Sequence, residues 1–392
     1  MKFKVRAQTM LDGLAERFED RKLPTNDGFG WGQFIDGSTS NTQVGPYGTS
    51  AGIIVKVIAR GLDITVDGAA ADLANRWALF LQGDPEQKKL FCQNPRLAWV
   101  YLALSLSGTN FRDVADAIRR ELLQRQSSDG RWGDWWVSPT EHDTTARRFS
   151  TAFVHFCLSY QAGASQEAKQ WANNQPVLPL SSYGLPTVDV IFHALAVLTI
   201  ADNEKTLQAF RRELKARAWR QLVESRELGV YFYDFRFANG ANAIDHGREY
   251  FIVPIRLIGV MLGSMAVAPP LLKAAALSAA SSVMESVRAQ QGVYKEAEGS
   301  RASSLNQAWA AISVGAASCL LAPRSGKVLW WLVRERQSIF LDRYFPFIAV
   351  ALATALAATA SDKILLKGVA AFCLLTLGWL YSGKINRLLQ RA

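Results

Sequence analysis

The chain has 392 residues, enough for one large domain or two ordinary ones, and its 49% hydrophobic and 20% charged residues exclude pervasive disorder. Four scattered cysteines, Cys92, Cys157, Cys319 and Cys373, exclude a disulfide framework and a paired-cysteine metal site. A formal net charge of +10 and a pI of about 9.5 favour acidic partners, whether nucleic acid, nucleotides or anionic lipid.

The first residues, MKFKVRAQTMLDGLAERFEDRK, are charged from the start and hold no continuous apolar core, so a secretory signal is not expected. Hydrophobic periodicity then predicts helices near 7–22, 48–61, 67–83, 94–107, 110–126, 145–162, 165–173, 186–201, 203–227, 246–266, 270–291 and 301–321. Odd members are amphipathic, as in ADAIRRELLQRQ, whereas even members are more apolar, as in RLAWVYLALSLSG and VDVIFHALAVLTIA. A helix with one wet face lies outside and one apolar all round is buried. The alternation therefore predicts an all-α domain over residues 1–322 in which an outer ring of helices wraps an inner ring, an (α/α)6 toroid.

Several loops feeding the inner helices share a pattern. Asp27 to Phe34 (DGFGWGQF) leads on to GTSAGIIVKVIA, and Gln126 to Trp136 (QSSDGRWGDWW) leads to RFSTAFVHFCL; Gly229 to Phe237 and Gln291 to Ser300 are degenerate versions. Glycines permit a tight turn and an aromatic can pack back on a helix. The run Gln126-Ser-Ser-Asp-Gly-Arg-Trp-Gly resembles the QW motif of the terpenoid cyclase and protein prenyltransferase family. That resemblance implies an α/α toroid and says little about activity.

A cyclase of that family carries its proton donor in a DxDDTA motif, and the matching run here is Glu141-His-Asp-Thr-Thr-Ala146, with Asp143 as the general acid. A competing alignment puts Phe149-Ser-Thr-Ala152 at that site and leaves no acid there, so that Glu141 and Asp143 cap a helix in a solvated loop. A prenyltransferase-like zinc site finds no recognisable ligand spacing among His142, His155, His193, His246, Cys92, Cys157 and Cys319. His155 and His193 read as core residues, and no metal or cofactor is expected. What the inner-helix starts do carry is arginine: Arg96, Arg147, Arg148, Arg248, Arg256 and Arg301. Guanidinium forks bind phosphate, and Tyr47, Trp132, Tyr231 and Tyr250 can stack on bases, so a nucleotide or oligonucleotide ligand is one expectation. Ion pairing of these arginines with Glu141, Asp143, Asp245 or Glu249 is the other.

Beyond residue 322, an amphipathic stretch over 323–343 leads into two apolar runs, Tyr344 to Ser361 and Ile364 to Gly383, flanked by Arg334, Arg336, Arg343, Lys384, Arg387 and Arg391. Eighteen helical residues reach about 27 Å, close to the hydrocarbon thickness of a bilayer. The expectation is a transmembrane hairpin over 344–392 in the inner membrane with both termini cytoplasmic. In plan this resembles the two-helix membrane effectors of bacterial anti-phage systems, which implies a homo-oligomeric pore in contact with lipid and a regulatory partner, with Thr354, Lys367 and Thr376 facing the conduit. The alternative expectation is a membrane-associated, terpenoid cyclase-like enzyme acting through Asp143.

Overall fold

The computed structural model describes residues 2–25, 28–35, 44–61, 64–82, 94–133, 148–160, 164–178, 188–215, 219–220, 223, 228–234, 248–295 and 302–320. The chain divides into two compact units, Met1–Leu329 and Trp330–Ala392, and every described residue lies in the first. The stretch 323–343 and the expected hairpin, with Thr354, Lys367 and Thr376, lie outside the described residues. Among those described, no helix is long and apolar enough to cross a membrane.

Twelve described α-helices follow in order: α1 (Lys2–Glu19), α2 (Pro46–Arg60), α3 (Ile64–Gln82), α4 (Asn94–Leu106), α5 (Arg112–Gln124), α6 (Arg148–Ser159), α7 (Gln166–Asn173), α8 (Val188–Ile200), α9 (Glu204–Glu213), α10 (Ile255–Ser264), α11 (Pro270–Ala289) and α12 (Ser304–Cys319). The even helices form a closed ring in which α2 touches α4, α4 touches α6, and so on through α8, α10 and α12 back to α2. The odd helices lie outside: α1 packs on α2 and α12, α3 on α2 and α4, α5 on α4, α7 and α9 on α8, and α11 on α10 and α12. The expected (α/α)6 toroid is thus the fold found.

Burial explains the alternation. Outer α5 buries only Ala115, Ile118 and Leu122, one stripe at helical spacing, while inner α10 buries every residue from Ile255 to Gly263. Inside the ring, Trp99 of α4 meets Trp309 of α12 at 5.1 Å between centroids, and Trp309 meets Phe192 of α8 at 5.5 Å and Phe153 of α6 at 6.1 Å. Side chains from opposite walls therefore touch across the axis, and at this depth the barrel is a packed aromatic core rather than a conduit.

Two expectations are corrected in the fifth pair, between α9 and α10. The segment 246–266 was expected to be one helix and Gly229 to Phe237 a repeat loop; instead β3 (Leu228–Asp234) and β4 (Arg248–Pro254) form an antiparallel hairpin paired from Leu228↔Pro254 to Asp234↔Arg248. Both runs are rich in β-branched and aromatic residues, and Pro254 stops a helix from extending backward, so α10 begins only at Ile255. A second, minimal pair joins β1 (Leu23–Pro24) to β2 (Phe29–Gly30) before α2.

Each inner helix is approached from the same end. Ser304 at the start of α12 donates its hydroxyl to Gly32 O and its N–H to Gln33 O, just before α2. Asn94 at the start of α4 donates to Gly133 O, in the run that leads to α6, at 2.9 Å. The starts of α12 and α4 thus meet the loops that lead into α2 and α6, and these N-termini line one mouth of the barrel.

Candidate functional site

The loops that enter the mouth are held by a repeated lock. In the first, Trp31 donates its indole N–H to Phe18 O near the end of α1 at 2.5 Å, and its backbone N–H to Thr49 Oγ1 of α2 at 3.2 Å. In the second, Trp132 donates its indole N–H to Leu122 O of α5 at 2.7 Å and its backbone N–H to Thr151 Oγ1 of α6 at 3.0 Å, while Thr151 donates back to Trp132 O at 3.2 Å. Gln126 completes this loop by donating to Gly130 O at 3.0 Å, and Gly130 adopts φ +80°, which only glycine takes without strain. A third version places Gln307 of α12 on both backbone groups of Tyr294, at 2.6 and 2.8 Å. The QW-like run is structural: it ties an outer helix, a loop and the next inner helix together.

Trp132 was expected to stack on a ligand; it is 1% exposed with its indole committed to Leu122, so that role is corrected. Arg256 was expected at the mouth; it is 8% exposed and donates to Ala279 O of outer α11 at 3.4 Å, between the two rings. Arg96 does stand at the start of α4, with its guanidinium 5.2 Å from the centroid of Tyr47 at the start of α2. Arg148 is the first residue of α6. Arg248 and Tyr250 fall on β4, and Glu141, Asp143, Arg147 and Arg301 lie outside the described residues.

Beside Arg148, a cavity of about 320 Å³ opens at the mouth rim, lined among others by Asp129, Arg131, Thr151, Trp171, Gln175 and His193. Its position follows from the topology: Arg148 and Thr151 start inner α6, and Trp171 and Gln175 lie at the end of outer α7, which runs back toward the mouth. Asp129 and Arg131 form an exposed ion pair. The hydrogen bond from Arg131, helped by the one from Ser127, holds the Asp129 carboxyl below its usual range, and Asp129 in turn raises the Arg131 value. Asp129 is therefore an ionised acceptor at neutral pH rather than a proton donor. His193, 3% exposed, lies with Nε2 3.3 Å from Gln175 Oε1, and Trp171 lies edge-on to it at 6.2 Å. The site offers an aromatic ring, guanidinium donors, a carboxylate and an amide within one cleft. Arginine was legible at this rim from the sequence, and His193 read as a core residue, which its burial matches; Trp171 and Gln175 were not legible, because no pattern in the sequence says which side of α7 and its end they face.

Among the described residues no group of three His, Cys, Asp or Glu side chains could hold a metal ion. No protein-family model matches the chain, and no characterised protein matches its sequence. Two solved structures do share its fold, both of inactive variants of the α-1,6-mannanase GH76A of Salegentibacter sp. HEL1_6. One, in complex with α-1,6-mannotriose, has a TM-score of 0.51 at 13% identity over 80% of this chain and 99% of the other. The second, in complex with α-1,6-mannotetrose, has a TM-score of 0.52 at the same identity and coverage. Both carry substitutions at two consecutive aspartates. This chain contains no two consecutive aspartates; its one consecutive acidic pair is Glu19-Asp20, and Glu19 is tied to Lys22 and the buried Lys56. The expectation of an anti-phage membrane effector with an ion-conducting pore in the inner membrane is thereby corrected. The toroid shares its fold with these two α-1,6-mannanase structures, and among the described residues no helix is long and apolar enough to cross a membrane. At this level of identity the likeness establishes the (α/α)6 fold.

Proposed function

We propose that the toroid binds an oligosaccharide at the mouth of the barrel. The observation that carries this reading is the 320 Å³ cavity beside Arg148, where Trp171 provides an apolar ring and Asp129, Arg131 and Gln175 provide acceptors and donors suited to sugar hydroxyls. It is supported by the two toroids of the same fold that hold α-1,6-linked manno-oligosaccharides. The chain lacks their consecutive aspartates, and Asp129 stays ionised, so the described mouth supplies no acid to protonate a leaving group. The proposal is accordingly binding without hydrolysis by that route.

Titration calorimetry of the full chain with α-1,6-mannotriose and with a panel of other neutral oligosaccharides tests the reading. Saturable binding is expected, weakened about tenfold or more by Trp171→Ala and by Arg148→Ala, with no release of reducing ends. Absence of binding to every neutral glycan would overturn it. Tighter binding of a mononucleotide or oligonucleotide than of any sugar would assign the arginine rim to phosphate instead.

A further inference from the structure

Every outer helix but α9 takes part in an ion pair among the described residues: α1 and α11 through Arg6 and Glu285, α3 through Arg76 and Asp72, α5 through Glu121 and Arg125, and α7 through Lys169 and Asp202. On α9 the cations stand apart. Lys205, Arg211 and Arg212, with Lys215 just beyond the helix end, are all exposed, and none of the four pairs with a carboxylate among the described residues. At 3.6 residues per turn, the three on the helix fall on the side away from Phe210, which is 3% exposed and packs 6.3 Å from His193. The two carboxylates of α9 are otherwise placed: Glu204 accepts from Gln208 at 3.0 Å, and Glu213 is half-buried. The positive face continues onto α11, where Lys273 donates to Ala266 O at 2.9 Å and has its value lowered, first by burial and then by the charge of Arg211. Like charges held together in this way are relieved by an anion laid across them.

The layout of the face narrows that anion. Lys205 and Lys215 are about 15 Å apart along the helix, too far for one small anion to reach both, so the partner carries repeated negative charge. The exposed positions of α9 hold no aromatic ring on which the bases of a single strand would stack. They hold no large apolar side chain to seed the core of a protein interface either. What is left is recognition by charge and hydrogen bonding alone, from guanidinium and ammonium donors in a row. We infer that the outward face of α9, extended by Lys273, binds an acidic polysaccharide through its carboxylate or sulfate groups. This does not rest on the mouth reading, since none of these side chains lines that cavity.

The test is fluorescence anisotropy of labelled polymers titrated with the full chain: polygalacturonate and heparin, whose comparison separates carboxylate from sulfate recognition, with neutral dextran, single-stranded and duplex DNA, and polyglutamate alongside. At least one acidic polysaccharide is expected to bind saturably and more weakly as salt rises, and dextran is expected not to reach this face. The triple variant Arg211→Gln, Arg212→Gln, Lys215→Gln should bind about tenfold more weakly, about twofold for each exposed charge removed. Should it not fold, the three single variants decide, each about twofold weaker. Neutralising as many exposed cations elsewhere on the outer surface, Lys4→Gln, Arg21→Gln and Arg120→Gln, should change the affinity less than twofold. Trp171→Ala, which disables the mouth cavity at constant charge, should leave it unchanged, so the failure of either site is seen separately. No binding of either acidic polysaccharide, an equal loss in the two triple variants, or tighter binding of DNA or polyglutamate would each overturn the inference.

Discussion

Replacing Thr151 by valine tests the lock that orders the mouth. Valine keeps the volume and branching of threonine but removes the hydroxyl that accepts from Trp132 N–H at 3.0 Å and donates to Trp132 O at 3.2 Å. Thr151 is 4% exposed and Trp132 1%, so water cannot replace the lost partner. The two neutral bonds are worth about 1 kcal/mol net each, and the stranded backbone N–H adds about 1 to 3 kcal/mol, giving a loss of about 3 to 5 kcal/mol. For a domain of this size, at about 1.5 °C per kcal/mol, that corresponds to a melting temperature lower by roughly 4 to 7 °C. The first repeat supplies an internal control: Thr49 accepts from Trp31 N–H in the same way, so Thr49→Val should lower the melting temperature in the same direction. Differential scanning calorimetry measures both. A change below about 1 °C in Thr151→Val would refute the view that these hydroxyls tie the loops to the inner helices.

Glycine positions give an opposed pair of outcomes. At Gly52 an added Cβ would sit 2.3 Å from Trp31 Cε3, and Gly52→Ala should cost about 1 to 3 kcal/mol in chemical unfolding. At Gly13, inside α1, a Cβ meets nothing within 4 Å, and Gly13→Ala should add about 0.5 to 1 kcal/mol. Glu19 gives a pH dependence. Burial alone would raise its value, but the bonds from Lys22 and Lys56 together hold it below the ordinary 4.5. Because the folded value is the lower one, its contribution is fully present above pH 4.5 and fades as pH falls through the folded value. Melting temperatures of wild type and Glu19→Gln should therefore differ at neutral pH and converge in acid; parallel curves would contradict this. Finally, burial pushes the Cys157 thiol well up, whereas Cys319 is exposed. With Cys92 and Cys373 replaced by serine, a thiol reagent should modify Cys319 in the native protein and Cys157 only after unfolding.

The twelve-helix rhythm was legible because burial imposes different compositions on the two rings: the all-round apolar runs became α4, α8 and α10, and the one-sided run became α5. The QW-like loop was legible as a turn, but its Trp132 was misassigned. A tryptophan in a glycine-rich loop looks free to stack, and only the fold shows its indole spent on Leu122 O. Arg256 failed for a similar reason: sequence places a residue near a helix start but does not say which side of the helix it occupies. The hairpin over β3 and β4 was hidden because YFIVPIRLIGV is apolar enough to read as one helix, although Pro254 marks the boundary between β4 and α10. His155 and His193 read correctly as core residues, but their packing against Trp171 was out of reach of any local pattern, which does not say which faces of the successive helices α6, α7 and α8 meet.

The central claim, a sugar site at the mouth, is tested most directly by a crystal structure of the full chain grown with saturating α-1,6-mannotriose. The account predicts ordered sugar in the 320 Å³ cavity, with a pyranose against Trp171 and hydroxyls within hydrogen-bond distance of Arg148, Asp129 or Gln175. Crystals that show this cavity free of sugar at a saturating concentration, or that place the sugar elsewhere on the toroid, would contradict it.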